Sequence, residues 1–89
     1  MGMISKKEYY ENGHIRSEKF YEDGIQQGPS KLYFEDGKLK SEEVYKDGKR
    51  EGLSRWYYEN GRLKGEAVFK SGEYEGLLRD YYENGQLAF

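Results

Sequence analysis

The chain repeats itself at a fixed interval. Tyr-Tyr-Glu-Asn-Gly occupies Tyr9–Gly13, Tyr57–Gly61 and Tyr81–Gly85, and an altered copy, Tyr-Phe-Glu-Asp-Gly, occupies Tyr33–Gly37, so successive copies stand 24 residues apart. A fixed period of this size means that one small supersecondary unit is stacked several times, because a single unit cannot bury its own apolar surface. Aligned on the motif, the units run over residues 8–31, 32–55 and 56–79, with a partial unit at 80–89, and together they make one domain spanning residues 1–89.

Ten of the twelve glycines fall into three columns of this alignment: Gly13, Gly37, Gly61 and Gly85; Gly24, Gly48 and Gly72; Gly28, Gly52 and Gly76. The first two columns follow Asn, Asp or Ser and separate runs rich in Tyr, Val and Leu, which is the short-range signature of a β-hairpin turn. Each unit therefore holds two turns and two strands, and the chain is expected to be all-β: an elongated, single-layer antiparallel meander of stacked hairpins with seven to eight strands. Helices are excluded, since apolar residues do not recur at three and four and glycine interrupts every segment.

A two-residue turn at Asn60-Gly61 sets Tyr58 against Leu63, Tyr57 against Lys64, Trp56 against Gly65, Arg55 against Glu66, Ser54 against Ala67 and Leu53 against Val68. A three-residue loop with a glycine bulge, the second choice, would set Trp56 against Lys64. In the first register alternate residues form an apolar stripe of Tyr10, Ile15, Tyr21, Leu32, Phe34, Leu39, Tyr45, Trp56, Tyr58, Leu63, Phe69, Tyr82 and Leu87, the expected core. The opposite face carries the tyrosine column Tyr9, Tyr33, Tyr57 and Tyr81 beside Arg16, Lys40 and Lys64.

Composition narrows the function. Only 35% of residues are hydrophobic, yet 17% are aromatic through ten Tyr, four Phe and one Trp, so ring faces must cover most of the buried area. Fifteen basic and seventeen acidic residues are finely interleaved, for a net charge of −2, which leaves no basic face for a phosphate backbone and speaks against nucleic acid. No cysteine is present, which removes disulfides, thiolate catalysis and cysteine-held metal. No run approaches the roughly 20 apolar residues of a membrane span, so direct membrane insertion is not expected. A cytoplasmic location is the default, with a surface or secreted one if a leader has been removed.

The glycine, paired-aromatic and Asn-Gly rhythm resembles the MORN-repeat variant found in bacteria, in proteins often labelled the antitoxin component of a toxin–antitoxin system. The resemblance covers nearly the whole chain. It implies a solenoid-like stack of hairpins serving as a protein-interaction or scaffold module, with an antitoxin or immunity partner as one form of that role. The usual MORN unit opens with Tyr-x-Gly-x-Trp, and only Tyr74–Asp80 approaches this, with Leu78 in place of the Trp. The membrane-junction and phospholipid functions of ordinary arrays are therefore not carried over.

Catalytic, metal and cofactor constellations are absent from the sequence, and the chain is read as a non-enzyme. His14, the one histidine, shares its column with Lys38, Arg62 and Gln86 directly after a turn glycine, a solvated position. Glu18, Glu42 and Glu66 face Lys7, Lys31 and Arg55 as cross-strand pairs. Asn and Asp in the turns answer to turn chemistry rather than to calcium. What remains is the surface of Tyr9, Tyr33, Tyr57, Tyr81, Arg16, Lys40 and Lys64, the candidate binding face for a sugar, choline or peptide at a cell surface, although Trp56 is too solitary to build aromatic cages. A protein partner is the first expectation. Self-association, where it occurs, is expected through the C-terminal edge, with Leu87 and Phe89 buried in it, because the N-terminal edge places the charges of Lys6 and Glu8 where a neighbour would sit.

Overall fold

The structure, a computed structural model, describes residues 2–88. Eight strands form one antiparallel sheet: β1 (Ile4–Tyr9), β2 (Ile15–Glu22), β3 (Ile25–Tyr33), β4 (Leu39–Lys46), β5 (Lys49–Arg50), β6 (Gly52–Tyr57), β7 (Leu63–Lys70) and β8 (Glu73–Asp80). Their order is β1-β2-β3-β4-β6-β7-β8, with the short β5 also beside β4. The molecule measures 44 × 36 × 13 Å, and a thickness of 13 Å leaves room for one layer only. The meander is thus as the sequence reads.

The turns at the two ends of the strands differ. At one end Asp23-Gly24, Asp47-Gly48 and Ser71-Gly72 are two-residue turns with both residues at positive φ, 51–52° for the first and 82–84° for the glycine. At the other end the repeated motif makes a three-residue loop. Gly61 N–H donates to Tyr58 O at 2.9 Å, Tyr58 N–H donates to Arg62 O at 2.8 Å, and only Gly61 has a positive φ, +89°. The two-residue turn expected at Asn60-Gly61 is therefore corrected to the second choice. Asn60 explains why: its Oδ1 accepts the Arg62 N–H at 2.9 Å, a local side-chain turn that holds the residue at negative φ.

The register nevertheless recovers. Tyr57 pairs with Leu63, but Trp56 pairs with Gly65, so Lys64 is an extra residue that cancels the offset introduced by the loop. Arg16 and Lys40 are skipped in the same way. Beyond the bulge every pairing from Trp56/Gly65 to Leu53/Val68 is the expected one.

A one-layer sheet has no second layer to cover its large side chains, and the core is accordingly made mostly of small ones, with Phe69 the buried member of the expected stripe. Ser54 is 1% and Ala67 0% exposed; Ser17, Ser30, Ser41 and Phe69 are also buried. The expected aromatic stripe is only half-buried, with Tyr82 and Leu87 exposed at 58% and 61%, because rings lean across the sheet and cover its small residues instead of being covered. Trp56, for instance, passes 3.8 Å from where a β-carbon on Gly65 would stand. Ile15, Leu39 and Leu63 leave the stripe altogether, since the bulge sets them opposite Tyr9, Tyr33 and Tyr57. Phe89, expected beside Leu87, lies outside the described residues.

Units are tied by bonds that reach 23 residues ahead. The Tyr10 hydroxyl donates to Tyr33 O and the Tyr58 hydroxyl to Tyr81 O, both at 2.6 Å. Asn12 and Asn60 donate through Nδ2 to Glu35 O and Glu83 O. The altered motif breaks this rhythm, because Phe34 has no hydroxyl and the Asp36 side chain has no N–H to donate. At that junction Glu59 O receives only the Lys38 amino group, at 3.5 Å. Phe34→Tyr should restore the missing bond to Tyr57 O and stabilise the chain by about 1 kcal/mol in chemical denaturation. An unchanged midpoint would show that the hydroxyl bonds do not hold the stack. Asp36→Asn should add less, since Glu59 O is already occupied.

Candidate interaction face

Neighbouring residues of a strand point to opposite faces, which settles where the candidate residues lie. Lys64 sets its ammonium 5.7 Å from the Tyr58 ring centre, and Lys40 sets its own 5.7 Å from that of Phe34. Arg16 meets Glu8 at 3.2 Å. Tyr58, Phe34 and Glu8 adjoin Tyr57, Tyr33 and Tyr9, so the three cations stand on the side away from the tyrosine column. The structure divides the expected face in two. The physical reason is the bulge, which re-aims the residue it inserts.

On the aromatic-and-cation side the contacts are internal. Beside Lys40 and Lys64, Lys6 lies over Tyr21 at 5.6 Å and Arg50 over Phe69 at 5.0 Å, while Arg50 also binds Glu43 at 2.8 Å. Here Ser17 donates its hydroxyl to Glu8 at 2.9 Å. That bond first, and the Arg16 charge second, hold the Glu8 carboxyl below the ordinary glutamate range. A group lowered in this way adds stability above its unfolded value and loses it as pH falls through the folded one. Ser17→Ala should move the Glu8 titration, followed by carboxyl NMR, upward toward the ordinary value; an unmoved titration would assign the shift to Arg16 alone.

The tyrosine side is built differently. Tyr9 is exposed, and Tyr33, Tyr57 and Tyr81 are half-buried. Next to this column runs a row of charge that crosses every main strand. Lys7 pairs with Glu18, Glu18 with Lys31, Lys31 with Glu42, Glu42 with Arg55, Arg55 with Glu66 and Glu66 with Arg79. Ion pairs form at Lys7–Glu18 (3.7 Å), Arg55–Glu66 (2.9 Å), Arg55–Glu42 (3.9 Å) and Arg79–Glu66 (3.7 Å). The Tyr57 hydroxyl reaches Glu42 at 3.3 Å, and burial first, then the Glu42 charge, raises its pKa. On the far side of the charges, Pro29 pairs with Val44 and Leu53 with Val68. Pro29, Val44 and Leu53 form a shallow apolar depression bordered by Glu42 and Arg55. The sequence shows the three Glu–cation pairs but not their fusion into one row, which needed the same 24-residue step carried on to Arg79.

His14 is exposed and rests against Gly37 of the next turn, with its Nδ1 2.9 Å from where a β-carbon there would be, which gives it a packing role. Among the described residues no group of three His, Cys, Asp or Glu is placed to hold a metal ion, and no helix is long and apolar enough to cross a membrane.

A single sheet of stacked hairpins whose open faces carry periodic rows of side chains defines a repeat protein that works through its surface. The chain belongs to the MORN repeat variant family, which matches it at residues 5–23, 26–47, 50–71 and 74–89. MORN repeats are modules that bind proteins or membranes and are in general not enzymes. No curated protein and no solved structure matches the chain.

Proposed function

We propose that this chain is a non-catalytic protein-interaction module that presents the tyrosine-bordered charge row to a protein partner. The row of alternating charge from Lys7 to Arg79 carries this reading. It lies on an open face between the tyrosine column and the Pro29–Val44 and Leu53–Val68 pairs, so a partner finds apolar contact and fixed charge at regular spacing. An antitoxin or immunity partner is the particular form that the bacterial resemblance favours. The test is to capture partners on the immobilised chain, purify the recovered protein, and map its contact by hydrogen exchange. Protection of Tyr57, Leu53 and Val44 supports the reading. Protection confined to the opposite side, or turnover of a substrate by the chain alone, overturns it.

A second reading is ligand binding at a cell surface through Tyr9, Tyr33, Tyr57 and Tyr81. The exposed Tyr9 ring supports it, while Arg16, Lys40 and Lys64 lie on the other side and would not share that ligand. Choline or cell-wall sugars should then shift the tyrosine ring signals and leave those of Phe34 and Tyr58 unmoved; silent tyrosines at millimolar ligand would remove this reading.

A further inference from the structure

Asn12, Asn60 and Asn84 each stand directly before a glycine. A glycine nitrogen has no side chain beside it to hinder attack on the asparagine amide carbon, and glycine gives the chain the freedom to bring the two together. The reaction needs an asparagine able to turn its Cγ toward that nitrogen and a nitrogen able to lose its proton. At Asn60 the folded chain denies both. Its Oδ1 accepts the Arg62 N–H at 2.9 Å and its Nδ2 donates to Glu83 O at 3.1 Å, so the amide is held at both ends. The Gly61 N–H, whose proton would have to leave, donates to Tyr58 O at 2.9 Å.

Asn12 is held in the same way. Its Oδ1 accepts the His14 N–H at 2.9 Å, its Nδ2 donates to Glu35 O at 2.8 Å, and the Gly13 N–H donates to Tyr10 O at 3.0 Å. In each case two of these bonds lie within the loop and the third crosses to the following unit, alongside the crossing made by the Tyr10 or Tyr58 hydroxyl. Both asparagines are exposed to water, and nothing lies within 4 Å of where a β-carbon on Gly13 or Gly61 would stand. Hydrogen bonds, and not a steric wall, are what hold these amides still.

We propose that Asn12 and Asn60 are sites of self-modification, each gated by separation of its loop from the unit that follows. Once the loop is free, the Gly61 nitrogen gives its proton to water and bonds to Asn60 Cγ, the Cγ–Nδ2 bond breaks, and ammonia leaves a five-membered succinimide ring. Water opens the ring at either carbonyl to give aspartate or isoaspartate, so the balance is one water in and one ammonia out. The second unit already displays the aspartate outcome. Asp36 Oδ1 accepts the Lys38 N–H at 2.9 Å and so keeps the loop, but its side chain cannot donate across the junction, where Glu59 O meets only the Lys38 ammonium at 3.5 Å. Isoaspartate goes further, because it adds a backbone atom inside the loop that the Tyr58 N–H closes on Arg62 O. The modification therefore runs one way: a junction that stays open loses the bond that would have closed it.

The full chain is incubated in mildly alkaline buffer beside a blocked peptide copying Tyr57–Leu63, and aspartate and isoaspartate are counted at Asn12 and Asn60 by mass spectrometry of digests. Conversion at Asn60 should be at least about tenfold slower in the chain than in the peptide. Tyr58→Phe removes one crossing bond, and the fold tolerates it because Phe34 stands naturally in that column. It should speed conversion at Asn60 about fivefold and leave Asn12 unmoved. Tyr10→Phe should do the reverse. Equal rates in chain and peptide overturn the proposal, as do variants that speed neither site. Variants that speed both sites alike would place the reaction in the globally unfolded chain, and that too overturns gating by a single junction.

Discussion

Glu66→Lys should destabilise the chain by about 2–4 kcal/mol, a large share of what a domain this small possesses. Glu66 is 7% exposed and sits between two guanidiniums, Arg55 at 2.9 Å and Arg79 at 3.7 Å. Reversal buries an ammonium between them and leaves three cations abreast. The arginines are 43% and 62% exposed, so water screens part of the repulsion and the cost stays toward the low end for a fully buried pair. Glu66→Gln, which keeps the shape, should cost about half as much. Glu18→Lys, facing Lys7 across 3.7 Å with the Glu18 side chain 23% exposed against 10% for Glu66, should cost under about 1 kcal/mol. Urea denaturation of the three variants ranks them, and equal midpoints for Glu66→Lys and Glu18→Lys would show that the row is solvated decoration.

The second large effect is at the motif turn. Gly61→Val should cost about 1–3 kcal/mol, because a β-branched residue at a φ of +89° is strained. Nothing lies within 4 Å of the added β-carbon, so packing contributes nothing and the loss reports backbone conformation alone. Gly61→Asn, which tolerates the left-handed region better, should recover part of it. His14→Gln, at the solvated position after an equivalent turn, should change stability by less than about 0.5 kcal/mol. Thermal melts in which Gly61→Val and His14→Gln coincide would remove the three-residue loop from the account.

Periodicity made most of the fold legible. Strand number, antiparallel order and the pairings from Trp56/Gly65 to Leu53/Val68 all follow from 24-residue columns and the alternation of a strand. What the columns concealed was local. Asn-Gly is a signature of the two-residue turn, yet Asn60 spends its side chain on the Arg62 N–H and stays at negative φ, and a propensity for the dipeptide cannot see that bond. Lys64 looks like any outward cation, and only the need to cancel the offset of the loop identifies it as the bulge. From that one displacement came the main correction to the site, since Arg16, Lys40 and Lys64 crossed to the side away from Tyr9, Tyr33 and Tyr57. The core was misjudged for another reason: apolar patterning finds large side chains, and a sheet with no opposing layer buries its serines.

The alternating row also bears on how such a gene can change length. Removing residues 32–55 in frame would join Lys31 to Trp56 and bring Glu66 across from Lys31, a carboxylate still facing an ammonium. Loss of one strand alone would set like charges side by side. Duplication or slippage by whole units therefore leaves the electrostatics intact, whereas a half-unit change is penalised at once. Related arrays are expected to differ in length by multiples of 24 residues, with the number of units free to drift and the parity of strands held fixed.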